Sequence, residues 1–265
     1  MDAKQYYESG ELTKAIVMMT DAVKQQPQNI HKRDFLRELL CIAGELERAD
    51  KQLDVIVQQE PQAAVGAALI RQLIRAEQLR QQCFNEGRLP ALVGEPIPSL
   101  KWHLQALIEL RENNRLLAAE YLQKAAAESL IVQGQYNGQS FKGLRDLDDT
   151  CAGFFEVLTS TGKYYWVAIE QVNVIEFYPP ERPLDLLWRR VHMTIENGPT
   201  GEVYMPAIYI NTPITDELAR LGHKTYWHTI GGEVTTGIGQ RMFLLGQQAI
   251  AVMELQELII QEVIT

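Results

Sequence analysis

A short pattern of residues occurs twice near the start of this chain, at an interval of 34 positions. Gly-Glu-Leu at residues 10–12 returns at residues 44–46, and a proline closes each copy, at Pro27 and at Pro61. Between these landmarks apolar residues recur at steps of three and four, which predicts an amphipathic helix in each copy. The glycine allows a tight turn before the helix, and the proline prevents its continuation. The chain is therefore expected to begin with repeated pairs of helices.

An interval of 34 residues is the length of the helix–turn–helix unit of tetratricopeptide repeats, which are units that bind other proteins. A degenerate further copy is expected at an offset of 104 from the first. In that copy Asn114 takes the place of the turn glycine, and Leu116, Ala119, Leu122 and Ala126 form the buried stripe. An ordinary helical bundle is the alternative, but residue identity repeats here as well as periodicity.

The helical pattern continues to about residue 133. A long helix is predicted over residues 63–86, and a loop over residues 87–98, which contain three prolines and two glycines. Ser99 is the expected N-cap of the next helix. Composition changes between residues 135 and 142, so we assign residues 1–137 to an all-α, tetratricopeptide-like domain.

Beyond this boundary, β-branched and aromatic residues replace the helical pattern. The segments expected to form strands are residues 154–158, 163–169, 172–178, 191–196 and 203–210. Short strands in close succession predict a barrel-like or curved antiparallel sheet. The predicted fold class is thus α+β with two domains, the second being a β-rich domain over residues 138–265.

Composition narrows the possible environments and partners. The formal net charge of −9 argues against non-specific binding to nucleic acid, which depends on Lys and Arg at phosphates. The three cysteines lie far apart and in no metal-binding spacing, which is typical of a reducing cytosol. We see neither a signal peptide nor an apolar run long enough to span a bilayer, so a cytoplasmic protein without membrane insertion is expected.

Several short motifs stand in a fixed order in the second half of the chain. They are Leu-Asp-Asp at 147–149, Tyr-Tyr-Trp-Val at 164–167, Phe-Tyr-Pro-Pro at 177–180, Asp-Leu-Leu-Trp-Arg at 185–189, Gly-Glu-Val-Tyr-Met-Pro-Ala at 201–207 and Gly-Gln-Arg at 239–241. Together with the helical first half, this series resembles the ImpE/SciE (TagJ) family of bacterial type VI secretion accessory proteins. Each motif alone is weak, but their order over about one hundred residues is specific.

The resemblance implies a virulence-associated, non-enzymatic adaptor in the cytoplasm. It implies protein partners, namely the N-terminal helix of the small sheath subunit and the AAA+ ATPase that recycles contracted sheath. It supplies no catalytic residue, cofactor or metal ligand to transfer to this chain. The domain that binds each partner and the oligomeric state stay open at this point.

The repeat pattern allows a prediction of the partner-binding face. The first helix of a tetratricopeptide pair lines the concave groove, and counting back from Gly44 places His31, Asp34, Glu38 and Cys41 on that face. The face is mildly acidic and could receive a basic amphipathic helix. It could equally pack on the β-rich domain, and the sequence does not decide between the two.

Other residues permit an enzymatic alternative, a metal- or nucleotide-dependent module in the β-rich domain. Asp146, Asp148 and Asp149 with a histidine such as His223 or His228 could provide its chemistry. A solvated, turn-forming acidic cluster and ordinary histidines are the favoured interpretations, because metal-ligand spacing is missing. The glycine-rich residues 231–239 lack the Gly-Lys-Ser/Thr end of a phosphate loop and are expected to form turns. A general protein-interaction scaffold is a third possibility.

Overall fold

The computed structural model describes residues 1–95, 97–230 and 234–264. Pro96 of the predicted loop and residues 231–233 of the glycine-rich segment lie outside the described residues. Within the described parts, helices occupy the first half and strands the second, so the predicted α+β architecture is confirmed.

Three hairpins, and one long helix between the second and the third, make up the first seven helices. They are α1 (Ala3–Glu8), α2 (Leu12–Gln25), α3 (Ile30–Ile42), α4 (Leu46–Gln59), α5 (Ala64–Glu86), α6 (Pro98–Arg111) and α7 (Arg115–Glu128). Gly10 and Gly44 have φ angles of 85° and 81°, in the left-handed region that favours glycine, and α2 and α4 each begin two residues later. Ala15 and Ala49 are buried at equivalent positions, where a small side chain permits close helix contact.

The third hairpin differs from its prediction by one residue. Asn113, not Asn114, has the left-handed φ of 63°, so the true offset from Gly10 is 103. The buried face of α7 therefore contains Ala118, Ala119, Leu122 and Ala125. The predicted burial of Leu116 and Ala126 is wrong, because a shift of one residue rotates a helix by about 100°.

The start of α6 also differs from its prediction. Pro98 begins the helix with the fixed φ that suits a first turn, and Ile97 is its N-cap. Ser99 is therefore a buried residue of the first turn, and its predicted capping role is wrong.

The described residues contain three sheets, which are built from fourteen strands. They are β1 (Ala91–Leu92), β2 (Ile131–Tyr136), β3 (Gln139–Lys142), β4 (Leu144–Asp146), β5 (Phe154–Leu158), β6 (Tyr164–Ala168), β7 (Val172–Phe177), β8 (Trp188–Ile195), β9 (Thr200–Pro206), β10 (Thr225–Ile230), β11 (Val234–Gly239), β12 (Met242–Leu245), β13 (Gln248–Ala251) and β14 (Glu257–Ile264). The largest sheet has the order β1-β6-β5-β9-β8-β7-β14-β2-β3, and its pairs are antiparallel except β1 with β6. It is open, so the barrel-like form of the prediction is wrong. Strand β12 lies between β13 and β4, and β10 pairs with β11.

The helical and β-rich parts exchange elements. Strand β1 lies within the predicted loop and pairs with β6, while β2 begins at Ile131, ahead of the predicted boundary at residue 138. A short helix of the second half, α8 (Glu217–Arg220), contacts the repeats: Arg220 Nε donates to the Ile42 carbonyl at 2.9 Å. One hydrophobic core extends from α2 through α5 to Trp166 of β6 and Trp188 of β8.

Candidate partner-binding cleft

The four residues predicted to bind a partner are divided between an open cleft and the layer beneath it. His31 and Asp34 line a cleft of about 420 Å³ at the surface of the helical part. Glu38 and Cys41 lie further along α3 and are buried. A 3₁₀ turn at Pro183–Leu186 of the β-rich part packs on α3. The sequence left open whether this face of α3 forms a groove or packs on the β-rich part. In the structure, one stretch of α3 lines the cleft and another contacts the β-rich part.

The cleft lies between three helices and has an apolar floor. Its aliphatic lining residues are Ile30 of α3, Leu53 and Ile56 of α4, and Ala67, Leu69 and Ile70 of α5. Gly66 of α5 also lines it, and a Cβ atom added there would meet no other atom within 4 Å. The cleft therefore has free space and an apolar floor, as the docking of an apolar side chain requires.

Charges of both signs surround this floor. Asp34 Oδ1 accepts a hydrogen bond from Arg37 Nε at 2.8 Å, and Arg182 lines the cleft from the β-rich part. Glu38 Oε1 lies 3.6 Å from an Arg37 nitrogen and 4.0 Å from Arg182 Nε. Burial raises the pKa of Glu38 to about 7, against the opposing charges of Arg37 and Arg182. The cleft is thus of mixed charge, unlike the mildly acidic face that the sequence predicts.

A second cluster of charged residues is fully buried where α5 meets the sheet. Glu156 of β5 is at its centre and accepts from Arg80 Nε of α5 at 2.8 Å and from the Tyr164 hydroxyl at 2.5 Å. On its other side Arg241 forms an ion pair with Glu156 and reaches Asp146 Oδ2 at 2.5 Å. Because these side chains are at most 3% exposed, the cluster binds the helices to the sheet and offers no opening to a substrate.

The pKa shifts of these residues agree with a structural role for the cluster. Burial disfavours the charged form of Glu156, but Arg80 and Arg241 outweigh it and lower its pKa to about 2. Burial raises the pKa of Asp146 to about 7 against the charge of Arg241. Arg80 and Arg241 stay protonated, since neighbouring carboxylates outweigh the effect of burial and raise both pKa values.

The acidic cluster at residues 146–149 fixes backbone. Asp148 caps a 3₁₀ turn by accepting from the Thr150 amide at 2.8 Å, and it also accepts from the Gly237 amide of β11 at 2.9 Å. Asp149 accepts from the Thr235 amide at 2.7 Å. The turn-forming interpretation is confirmed, but the expected solvation is wrong for Asp146 and Asp148, which are buried.

The histidines do not join these carboxylates in a ligand set. His223 and His228 are exposed, and His228 belongs to β10. Over residues 1–95, 97–230 and 234–264, no group of three or more His, Cys, Asp or Glu side chains is placed to hold a metal ion. Cys151 is buried beside Glu156, and burial raises the pKa of its thiol well above the usual range.

The sequence pattern does not reveal the buried ion pairs. Arg80 and Glu156 lie 76 positions apart, and each stands in a segment whose periodicity indicates only a helix or a strand. Weak signals were present, since Arg241 and Tyr164 belong to two of the ordered motifs. Sequence spacing alone could not join them.

The described residues thus define an α+β protein of helical hairpins on an open sheet, with a surface cleft between helices. Residues 138–259 match the family model described as ImpE protein. The type VI secretion system accessory component TagJ of Pseudomonas aeruginosa is 29% identical over 259 residues, which cover 97% of this chain and 90% of that protein. The crystal structure of protein VPA1032 from Vibrio parahaemolyticus is similar, with a TM-score of 0.93 at 28% identity over 98% of this chain and 97% of the other. Together these matches support the membership of this chain in the ImpE family. Among the described residues, no helix combines the length and the apolar composition that a bilayer span needs.

Proposed function

We propose that this protein is a non-enzymatic cytoplasmic adaptor of type VI secretion. It binds the N-terminal helix of the small sheath subunit and assists the handling of that subunit by the AAA+ ATPase. The similarity to a type VI secretion accessory component supports the system, and the cleft beside α3 supports the mode of binding. That cleft is the observation on which the proposal depends most.

The binding mode follows from the chemistry of the cleft. An amphipathic helix places apolar side chains at i, i+3, i+4 and i+7 along one face. Side chains of that face would enter between α3, α4 and α5 and cover Leu53, Ile56 and Ile70. Asp34 and Arg182, which also line the cleft, would then select the charges that flank the apolar stripe. The buried ion pair of Arg80 with Glu156 joins α5, whose first turns line the cleft, to the sheet.

The proposal is tested by calorimetric titration of the full chain with a peptide of the small sheath subunit's N-terminal helix. A scrambled peptide of equal composition controls for non-specific binding. We expect saturable binding that scrambling abolishes. Gly66→Leu should weaken it at least about tenfold, or about 1.4 kcal/mol, because the new side chain fills the cleft.

Two control variants distinguish a blocked cleft from an unfolded protein. Val65→Leu enlarges the neighbouring, highly exposed side chain of α5 outside the cleft and should leave the affinity unchanged. Gly66→Ala raises helix propensity at the same position with little filling of the cleft. Unchanged binding in Gly66→Leu would show that the peptide binds another surface. No binding at about 1 mM peptide would contradict the small sheath subunit as a partner.

A further inference from the structure

A second cleft, which shares no lining residue with the cleft beside α3, lies between the α6–α7 turn and the β10–β11 hairpin. Its volume is about 500 Å³, within the usual range of ligand sites. The lining residues that matter here are Phe84, Leu107, Leu110, Arg111, Arg115 and His228. These residues come from helices and from a hairpin that are distant in sequence, so only the tertiary fold creates the cleft.

The charge of this cleft is opposite to that of the chain. The protein carries a formal net charge of −9, yet the described lining residues include two arginines and a histidine and no carboxylate. Arg111 Nη1 is held by the Cys83 carbonyl at 3.2 Å, and Arg115 Nε by the Asn113 side chain at 3.0 Å. Their other N–H groups make no hydrogen bond to the described residues and are available to an anionic acceptor.

The floor of the cleft is apolar and its rim is exposed. Leu107 and Phe84 are buried at the bottom, whereas Asn85, Arg115 and His228 are exposed at the edge. A small-molecule site usually encloses most of its ligand, but this cleft is open to solvent along its rim. An open cleft of this kind suits a segment of polypeptide, with an apolar side chain at the floor and acidic side chains at the rim.

From charge complementarity we infer that this cleft is a second docking site, and that its occupant is an acidic segment of a protein partner. Carboxylates of that segment pair with Arg111 and Arg115, and an apolar side chain between them covers Leu107 and Leu110. The choice of a protein occupant rests on the proposed adaptor function, since an adaptor that connects two partners needs two separate surfaces. The anion-binding character of the cleft rests on its lining alone.

The test is a nuclear magnetic resonance titration of the ¹⁵N-labelled full chain with the peptide acetyl-Glu-Leu-Glu-Phe-Glu-amide. The matched peptide acetyl-Gln-Leu-Gln-Phe-Gln-amide has the same shape without charge. We expect saturable shifts of the Leu107, Leu110 and Ile230 amides with the acidic peptide, and binding at least about tenfold weaker with the neutral one. Equal binding of the two peptides, or no shift at these amides at about 1 mM peptide, would overturn the inference.

Substitutions of the two arginines test whether they contact the acidic peptide. Arg111→Gln and Arg115→Gln should each weaken the acidic peptide about tenfold. Arg115 is exposed, and among the described residues its side chain hydrogen-bonds Asn113 alone, so its variant tests the site even where Arg111→Gln does not fold. Arg88→Gln removes an equal charge from an exposed arginine outside the cleft and should change nothing. An equal loss in all three variants would indicate non-specific attraction and contradict the inference.

Two further titrations distinguish the other outcomes. Inorganic phosphate that shifts the same amides when the acidic peptide does not would identify a small-anion site and overturn the polypeptide occupant. Gly66→Leu should leave the acidic peptide bound, because its cleft lies elsewhere. Loss of sheath-peptide binding with acidic-peptide binding retained would therefore count against the proposed function alone.

Discussion

The helical repeats and the junction between α5 and the sheet are stabilised by opposite means. In the repeats, small and aliphatic side chains such as Ala15, Ala49 and Leu53 are packed against one another. At the junction, charged groups of both signs are buried together around Glu156. Aliphatic packing gains free energy in proportion to the area that it buries. A buried ion pair must first offset a large desolvation cost, so it depends on every partner being in place.

This difference has consequences for mutations. Loss of one methylene group in the repeats leaves a small cavity, and its cost is graded. Loss of one charge at the junction leaves buried opposite charges with fewer partners, and its cost is large. The junction should therefore respond steeply to changes that the repeats tolerate.

The largest effect is expected from Glu156→Ala. The substitution removes the carboxylate that Arg80 and Arg241 share and leaves each buried guanidinium group with one carboxylate partner, Glu77 or Asp146. We expect a loss of about 3–5 kcal/mol in the free energy of unfolding, measured by urea denaturation. Glu202→Ala breaks an exposed pair with Arg190 and should cost at most about 1 kcal/mol. Similar losses in the two variants would contradict the contrast between buried and exposed pairs.

A smaller, pH-dependent effect is expected at Glu38, where the repeats meet the β-rich part. Its folded-state pKa of about 7 lies above the ordinary value of 4.5, so its contribution is fully present below pH 4.5 and is lost as the pH rises to 7. Across this window the wild type should lose up to about 3 kcal/mol of stability relative to Glu38→Gln.

Urea denaturation of both proteins at several pH values measures this difference. The effect of Asp146, whose pKa is also raised to about 7, is present in both proteins and cancels. Glu156 has a lowered pKa of about 2, so its contribution is lost only as the pH falls from 4.5. Glu202→Gln is the exposed control. A stability difference between Glu38→Gln and the wild type that does not change with pH would refute the raised pKa.

The smallest effect concerns the register of the third hairpin. Ala118→Leu places a larger side chain at a fully buried position of α7 and should cost about 1–3 kcal/mol. Ala126→Leu makes the same change at an exposed position of the same helix and should stay within about 0.5 kcal/mol. Urea denaturation gives both values. A larger loss of stability in Ala126→Leu than in Ala118→Leu would support the offset of 104 that the sequence alone suggested.

In the helical half, two turns are encoded by local sequence and the third is not. The helices α2 and α4 were predictable because Gly10 and Gly44 repeat in identity and both occupy the left-handed turn. The third copy has two consecutive asparagines instead of glycine, and asparagine can adopt this conformation at either position. Only the packed helix decides that Asn113 does so.

The β-rich half was predictable in composition but not in topology. β-Branched and aromatic residues indicated several strands, yet β2 begins at Ile131, within a segment assigned to helix. Its position in the sheet depends on pairing with β14, more than one hundred residues away. Strand β1 likewise exists because β6 offers it an edge. Local propensity contains no information about such partners.

Of the candidate site, the sequence placed His31 and Asp34 on the face of α3 that lines the cleft. It could not place Arg182, which reaches the same cleft from the β-rich part. It also could not tell that Glu38 and Cys41 are buried on that face, because helical periodicity defines a face and not what covers it.

The sequence by itself determined the repeated helices, the division into a helical and a β-rich half and the resemblance to the ImpE family. These features depend on local periodicity, on turn residues and on ordered motifs. The tertiary structure alone decided the burial of the Arg80, Glu156 and Arg241 cluster and the two clefts. The physical reason is that burial and ion pairing depend on distances between residues far apart in the chain, which only the packing of helices against the sheet determines.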